Sequence, residues 1–302
     1  MLPEITRRDA RREALTGLID YAGLFPPASL GMEEAVAEYR AARTGPQAWM
    51  VDRFICPADR LLELAGLLTT TMTEDEEPWS LVVTARPDEA AAIADFVAEM
   101  SGGADVDAVE TPLADGADTA LVVRLMETLQ SVVFFEVPWR RPVEPALDVL
   151  VTARAASGRT LGAKVRCGGV VAEAFPSPEV LAGFLAACRD RGLPVKATAG
   201  LHHPFRHTDP ATGFTHHGFV NLLAAAVLAH GGVSPAVLAE VLADTDPGGF
   251  DLTARGLVWR DHRIDAGDLA AVRRDLFVGY GSCSFDEPVA DLTALGILPV
   301  AS

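Results

Sequence analysis

The stretch Leu161-Gly-Ala-Lys-Val-Arg-Cys-Gly-Gly169 is followed by Leu193-Pro-Val-Lys-Ala-Thr-Ala-Gly200. These two apolar runs give the clearest indication of the fold. Between them, Ser177-Pro178 begins a predicted helix over Glu179–Arg191, with a capping serine and a proline in the first turn. A strand, a helix and a second strand of these lengths form the unit that joins neighbouring parallel strands. The stretch therefore predicts a parallel sheet with a lysine near the end of each strand.

The same alternation extends in both directions. The predicted strands are Leu18–Leu24, Ala48–Ile55, Ser80–Thr84, Ala108–Thr111, Ser131–Val137, Leu161–Val165, Pro194–Thr198 and Phe277–Gly281. The predicted helices between them are Gly31–Arg43, Pro57–Leu68, Pro87–Met100, Ala117–Leu129, Pro142–Ala156 and Glu179–Arg191. Eight strands in a chain of 302 residues match the size of a (β/α)8 barrel. An open doubly wound sheet is the alternative, but no Gly-rich phosphate turn follows an early strand.

The regular alternation stops after the seventh strand. A polar loop over Gly200–Thr215 leads to predicted helices over Gly218–His230 and Pro235–Ala243. An irregular excursion at about 246–264 follows, in which Phe250–Ile264 is predicted to form a small hairpin or loop. The helix Asp265–Asp275 precedes the eighth strand. We expect residues 1–302 to form one barrel domain with a long insertion between the seventh and eighth strands.

The composition limits the partners of the chain. A formal net charge of −17 argues against nucleic acid and against an anionic membrane surface, but it permits a small-molecule substrate. The four cysteines show no metal-binding or disulfide spacing, and neither a signal peptide nor a membrane span is evident, so a cytoplasmic location is expected. The oligomeric state, including a homo-oligomer, is left open.

Lys164 and Lys196 are the main candidate catalytic residues. A lysine in a buried strand requires a partner, a water-filled cavity or a lowered pKa. Two lysines in one pocket disfavour each other's protonation, and a neutral amine can attack a carbonyl to form a Schiff base. The alternative is structural: Lys164 forms a buried ion pair with Glu136 of the adjacent strand, and the barrel binds a ligand without catalysis.

The two lysine motifs resemble the class I aldolases of the deoxyribose-phosphate aldolase type. The resemblance implies that Lys164 is the Schiff-base nucleophile, that Lys196 tunes its pKa and that Glu110 is the acidic residue on the fourth strand. The chain lacks the small-residue phosphate loop of that family, and the His-rich loop has no counterpart there. The expected activity is an aldolase-like or other lyase reaction, without a cofactor, on a small carbonyl or carboxylate metabolite.

Other residues at the predicted strand ends supply acid–base and binding groups. Glu136 or Glu110 is expected to transfer protons, with His202 and His203 as further catalytic candidates. The remaining candidates are polar side chains expected to bind the substrate: Arg166, Arg206, His207, Ser282 and Ser284. The first strand also brings Asp20 to this rim, and the eighth brings Cys283, which is either a nucleophile or a small buried side chain.

Five of the seven histidines fall in one loop and at the start of the following helix, at positions His202, His203, His207, His216 and His217. Such a cluster predicts one of two roles. It can provide acid–base groups and hydrogen-bond donors, or it can hold a divalent metal such as zinc or manganese for a hydrolase or isomerase. The spacing matches no established metal signature, so both alternatives stay open at this point.

Overall fold

The computed structural model describes residues 9–129 and 131–299. The strands in chain order are β1 (Ile19–Tyr21), β2 (Val51–Pro57), β3 (Trp79–Thr84), β4 (Ala104–Pro112), β5 (Val132–Glu136), β6 (Leu161–Arg166), β7 (Val195–Thr198), β8 (His207–Thr208), β9 (Thr215–His216), β10 (Phe250–Thr253), β11 (Gly256–Trp259), β12 (His262–Asp265) and β13 (Phe277–Ser282). Eight of these strands, β1 to β7 and β13, pair in parallel and close into a barrel. The predicted (β/α)8 fold is confirmed.

Helices separate the barrel strands. In chain order they are α1 (Ala10–Leu15), α2 (Met32–Thr44), α3 (Leu61–Thr71), α4 (Ala90–Glu99), α5 (Thr119–Leu129), α6 (Glu144–Ser157), α7 (Pro178–Asp190), α8 (Phe219–His230), α9 (Pro235–Ala243), α10 (Ala266–Asp275) and α11 (Asp286–Ala294). Helix α7 begins as the sequence indicates, because the Ser177 side chain accepts a hydrogen bond from the Val180 N–H. Helices α1 and α11 were not predicted, since neither short segment has a long apolar period.

Several boundaries differ from the predicted ones for local reasons. The predicted second strand starts instead with a short 3₁₀ turn at Ala48–Met50, and β2 continues to Pro57. Another 3₁₀ turn, Ala58–Arg60, therefore precedes α3, which was predicted to begin at Pro57. Tight turns of this kind are common at the ends of helices and carry no apolar periodicity in the sequence.

The insertion after β7 contains two small sheets. Strands β8 and β9 form an antiparallel pair inside the predicted polar loop. Strands β10, β11 and β12 form a three-stranded antiparallel sheet where a hairpin or loop was expected. This sheet lies beside α1, and the Ala10 N–H donates a hydrogen bond to the Ala254 carbonyl. Among residues 9–129 and 131–299, no helix combines the length and the apolar character needed to cross a bilayer.

Alternation along the strands divides the side chains between two environments. The outward side chains pack under the helices in the main core, while a small inner cluster contains Ala22, Ile55, Val82, Ala108 and Phe134. Charged side chains occupy the barrel interior alongside this apolar cluster. Because the eight barrel strands run in parallel, their carboxyl ends meet at one rim, and the interior opens there.

Candidate active site

Four ionisable side chains meet inside the barrel. Lys164 on β6 and Lys196 on β7 are direct neighbours in the strand register. Glu110 on β4 contacts both ammonium groups: its Oε2 lies 2.7 Å from Lys164 Nζ, and its Oε1 lies 2.7 Å from Lys196 Nζ. Asp20 on β1 forms a further ion pair with Lys196. All four residues are buried, so each charge depends on the others for stabilisation.

The environment of Glu110 determines its charge. Burial by itself raises the pKa of a carboxyl group, but the neighbouring Lys164 and Lys196 ammonium groups lower the pKa of Glu110 to about 2. Glu110 is therefore a carboxylate at neutral pH. One carboxylate shared by two ammonium groups fixes the relative positions of both lysines.

The pKa of Lys196 differs from the sequence-based expectation. We expected burial and the second lysine to lower it. Burial does act in that direction, but the carboxylates of Asp20 and Glu110 outweigh it and raise the pKa of Lys196 above its ordinary value. Lys196 is therefore an ammonium ion at neutral pH. Asp20 was predicted at the rim without a partner, although a carboxylate within the apolar run Leu18–Leu24 already indicates a buried cation nearby.

Lys164 lies at the wall of a large cavity, whereas Lys196 does not. The Lys164 side chain is 9% exposed and that of Lys196 is 1% exposed. A second carboxylate, that of Glu136 at the end of β5, approaches Lys164, with Oε2 at 3.1 Å from Nζ. The Glu136 side chain is 28% exposed. Lys164 is thus the lysine that a ligand can reach, and Glu136 is the carboxylate beside it that also reaches solvent.

The cavity occupies the mouth of the barrel and has a volume of about 1290 Å³. Of the residues predicted to act in the site, its wall includes Glu110, Glu136, Lys164, Arg166, His202, His203, His207, His216 and Ser284. Residues from the loops after nearly every barrel strand also contribute, which is the usual origin of an active site in this fold. The cavity therefore brings most of the predicted site residues together.

Two predicted binding residues of the wall differ in their surroundings. Arg166, two positions beyond Lys164 on β6, donates from Nε to the Gly168 carbonyl at 3.2 Å, and within the described ranges it forms no ion pair. Its remaining guanidinium N–H groups are left for a ligand. Ser284 lies on the wall, but Ser282 is buried behind it and donates from Oγ to the Ser284 carbonyl at 2.7 Å. Ser282 therefore shapes the turn instead of facing the cavity.

Helix α11 orients two of the wall histidines. Nδ1 of His202 lies 3.0 Å from Oε2 of Glu287, and Nδ1 of His203 lies 2.6 Å from Oδ2 of Asp291. A carboxylate at one ring nitrogen fixes the orientation of an imidazole and directs the other nitrogen elsewhere. Neither acidic partner was predicted, because nothing in the sequence indicates that α11 lies beside the His-rich loop.

The other histidines of the loop do not converge on one point. The rings of His203 and His207 are perpendicular at 4.5 Å, and those of His207 and His216 are stacked at 5.4 Å across the β8–β9 ladder. His217 lies outside the cavity and is completely buried, with Nε2 2.8 Å from the Pro176 carbonyl. Burial lowers the pKa of His217 to about 4, so its imidazole is neutral.

Arg206 also lies outside the main cavity. Its NH1 donates to Nδ1 of His217 at 3.1 Å, so it fixes the loop. In the described part of the chain, no three His, Cys, Asp or Glu side chains are arranged to hold a metal ion. The metal-dependent alternative therefore has no ligand set among these residues.

The fold and the site define a (β/α)8 barrel with an ionisable cavity at the carboxyl ends of its strands, an architecture typical of enzymes. Neither a scan against protein-family models nor a search of curated proteins found a match to the chain.

Proposed function

We propose that the chain is a Schiff-base enzyme that cleaves or forms a carbon–carbon bond in a small carbonyl-containing metabolite, with Lys164 as the nucleophile. The observation that carries this proposal is the position of the Lys164 amine at the cavity wall, between the carboxylates of Glu110 and Glu136. A lysine held among proton acceptors and open to a ligand can lose its proton and attack a carbonyl carbon.

The two carboxylates have different tasks in this mechanism. Glu136 is partly exposed, so it can accept the ammonium proton of Lys164 and return it to the departing hydroxide when the carbinolamine loses water. Glu110 is buried at the base of the cavity wall and holds its charge between two ammonium groups. It therefore positions the Lys164 amine while Glu136 exchanges protons with the substrate.

Lys196 acts on Lys164 through Glu110. Because Lys196 remains charged, it offsets part of the negative charge of Glu110, the carboxylate that also contacts the Lys164 amine. The iminium ion then withdraws electrons while Glu136 takes the proton of the hydroxyl on the β carbon. The carbon–oxygen bond becomes a carbonyl, the bond between the α and β carbons breaks, and an enamine and an aldehyde form. On the wall, Arg166 can bind a substrate carboxylate, and His203 and His207 can polarise a substrate oxygen.

Reduction with borohydride tests the mechanism. Small aldehydes, ketones and oxo acids are each incubated with the protein and sodium borohydride, and modified peptides are mapped by mass spectrometry. We expect a stable secondary amine on Lys164 for at least one compound and none in Lys164→Met. Lys196→Arg, which keeps the cation, serves as the matched control and is expected to keep the Lys164 adduct. Lack of any Lys164 adduct across the panel would refute the proposal.

A non-catalytic ligand-binding barrel is the second candidate, and the ion pairs of both lysines favour it. In that case Lys164 and Lys196 act only as structural cations. Replacing either lysine by methionine would then lower the thermal stability. Any turnover detected with the wild-type protein would persist in these variants. The mechanism proposed above predicts instead that Lys164→Met abolishes turnover.

A further inference from the structure

Three residues on the cavity wall form a contact chain that the chemistry at Lys164 does not use. Sγ of Cys283 lies 3.8 Å from Nε2 and 3.9 Å from Nδ1 of His202. Nδ1 of His202 lies 3.0 Å from Oε2 of Glu287. A nucleophile beside a base, with the base oriented by a third group, is the arrangement of activated nucleophiles in enzymes.

The chain holds this thiol firmly in place. Cys283 follows the last residue of β13, and the turn after it is closed by the Ser282 Oγ bond to the Ser284 carbonyl. The Glu287 N–H donates to Ser284 Oγ at 3.2 Å, which ties the start of α11 to the same turn. The Cys283 sulfur and the Glu287 carboxylate are therefore carried by one hydrogen-bonded segment, and His202 reaches them from the loop after β7.

Cys283 differs from the other three cysteines. Cys56, Cys167 and Cys188 have no exposed surface, whereas Cys283 is 8% exposed and lies on the cavity wall. Burial raises the pKa of the Cys283 thiol, so at neutral pH it carries its proton. A protonated thiol needs a base to react, and His202 is the base within reach.

We propose that Cys283 is a second covalent site of the cavity, which binds the aldehyde group of a substrate or product as a thiohemiacetal. His202 takes the thiol proton, sulfur forms a bond to the carbonyl carbon, and the C=O π bond becomes an alkoxide. The imidazolium then returns the proton to that oxygen, so no oxidant or further reactant is required. Glu287 is a positioning residue, which orients the imidazole.

The choice of an aldehyde as the ligand rests on the proposed function, because carbon–carbon cleavage at Lys164 releases one. The reactivity of the thiol itself does not depend on Lys164. The two proposals therefore fail separately: the Schiff base is trapped by borohydride, whereas a thiohemiacetal is detected without reduction.

The first test uses [1-¹³C]acetaldehyde and ¹³C NMR of the Lys164→Met protein, in which no Schiff base forms at Lys164. We expect a new resonance from a carbon bonded to sulfur and oxygen, which disappears in Lys164→Met/Cys283→Ala. The matched control Lys164→Met/Cys188→Ala removes a buried cysteine and is expected to keep the resonance. A spectrum without a Cys283-dependent resonance at saturating acetaldehyde overturns the proposal.

The second test needs only the wild-type background and applies even where Lys164→Met does not fold. Alkylation by iodoacetamide is followed at each cysteine by mass spectrometry, and we expect Cys283 to react well ahead of the three buried cysteines. His202→Gln is expected to slow this reaction at least tenfold, since a general base contributes about 10²- to 10⁴-fold.

The role of Glu287 is checked in the same assay. Glu287→Gln is expected to slow alkylation of Cys283, and the conservative Glu287→Asp is expected to recover part of the rate with an unchanged melting temperature. A Cys283 rate that is insensitive to His202→Gln, or that equals the rates of the buried cysteines, contradicts the proposed activation.

Discussion

Glu110 is the residue on which the charge balance of the barrel interior depends. Its two oxygens each contact a different buried ammonium group. We expect Glu110→Gln to lower the free energy of unfolding by about 3 to 5 kcal/mol, because it leaves buried cations without their shared counter-charge. Urea unfolding measures this. Glu63→Gln, in an exposed ion pair with Arg60, is the matched control and should cost less than about 1 kcal/mol.

The ionisation of Glu110 is also expected to make the stability of the fold fall at acid pH. The pKa of Glu110 is about 2 in the folded chain and near 4.5 when the group is unperturbed. The carboxylate therefore contributes its full stabilisation above about pH 4.5 and loses it as the pH falls towards 2. Urea titrations across this range should show a shallower slope for Glu110→Gln than for the wild type. Equal slopes would show that Glu110 is not the titrating group.

His217 titrates in a separate pH window. Its pKa is about 4 in the folded chain against 6.5 for an unperturbed imidazole, so the unfolded chain binds the proton more readily. The effect of His217 on the free energy of unfolding is therefore constant above about pH 6.5, and it lowers that free energy as the pH falls towards 4. In His217→Gln this part of the slope should be reduced. A slope in His217→Gln equal to that of the wild type would contradict the assignment.

Strand β6 illustrates how tightly one element is fitted to its neighbours. A Cβ atom on Gly162 would lie 2.5 Å from Cε1 of Phe134 and 2.7 Å from the Pro194 carbonyl oxygen. Gly162→Ala should therefore destabilise the chain by about 1 to 3 kcal/mol, measured by thermal or urea unfolding. Gly183→Ala is the control, because open space surrounds that position of α7 and a helical alanine should add about 0.5 to 1 kcal/mol.

Sequence periodicity predicted those strands and helices that are determined by residues close together in the sequence. Strand β6, strand β7 and helix α7 follow from apolar runs, a capping serine and a proline in the first turn. The sheet β10–β12 was not predicted as three strands. Its pairing with α1 joins residues about 245 positions apart, and no local pattern encodes such a contact.

The candidate site was likewise predictable where its residues lie on clearly patterned strands, and not where they meet through distant packing. The rule that strand ends meet at one rim placed Glu110, Glu136 and Lys164 together, because each lies on a strand with a clear pattern. The partners of the histidines were not predictable. Glu287 and Asp291 reach His202 and His203 only because α11 packs beside a distant loop, which is a consequence of the closed fold.

The whole molecule carries a net charge of −17, and repulsion among the excess negative charges opposes the compact state. Screening weakens this repulsion between surface charges, so the melting temperature should rise from about 10 mM to about 200 mM sodium chloride. Differential scanning calorimetry provides the measurement, and choline chloride is the control for specific sodium binding. A melting temperature that falls with both salts would mean that surface ion pairs outweigh the net repulsion.

Strand β13 lies between β1 and β7 in the barrel. During synthesis on a ribosome, residues 277–282 emerge after the seven other strands, so those strands must wait with two unpaired sheet edges. Strand β13 closes the barrel, and the Cys283 thiol that follows this strand reaches the cavity in the same step. Nascent copies of this chain therefore need protection against edge-to-edge association until residues 277–282 have been translated.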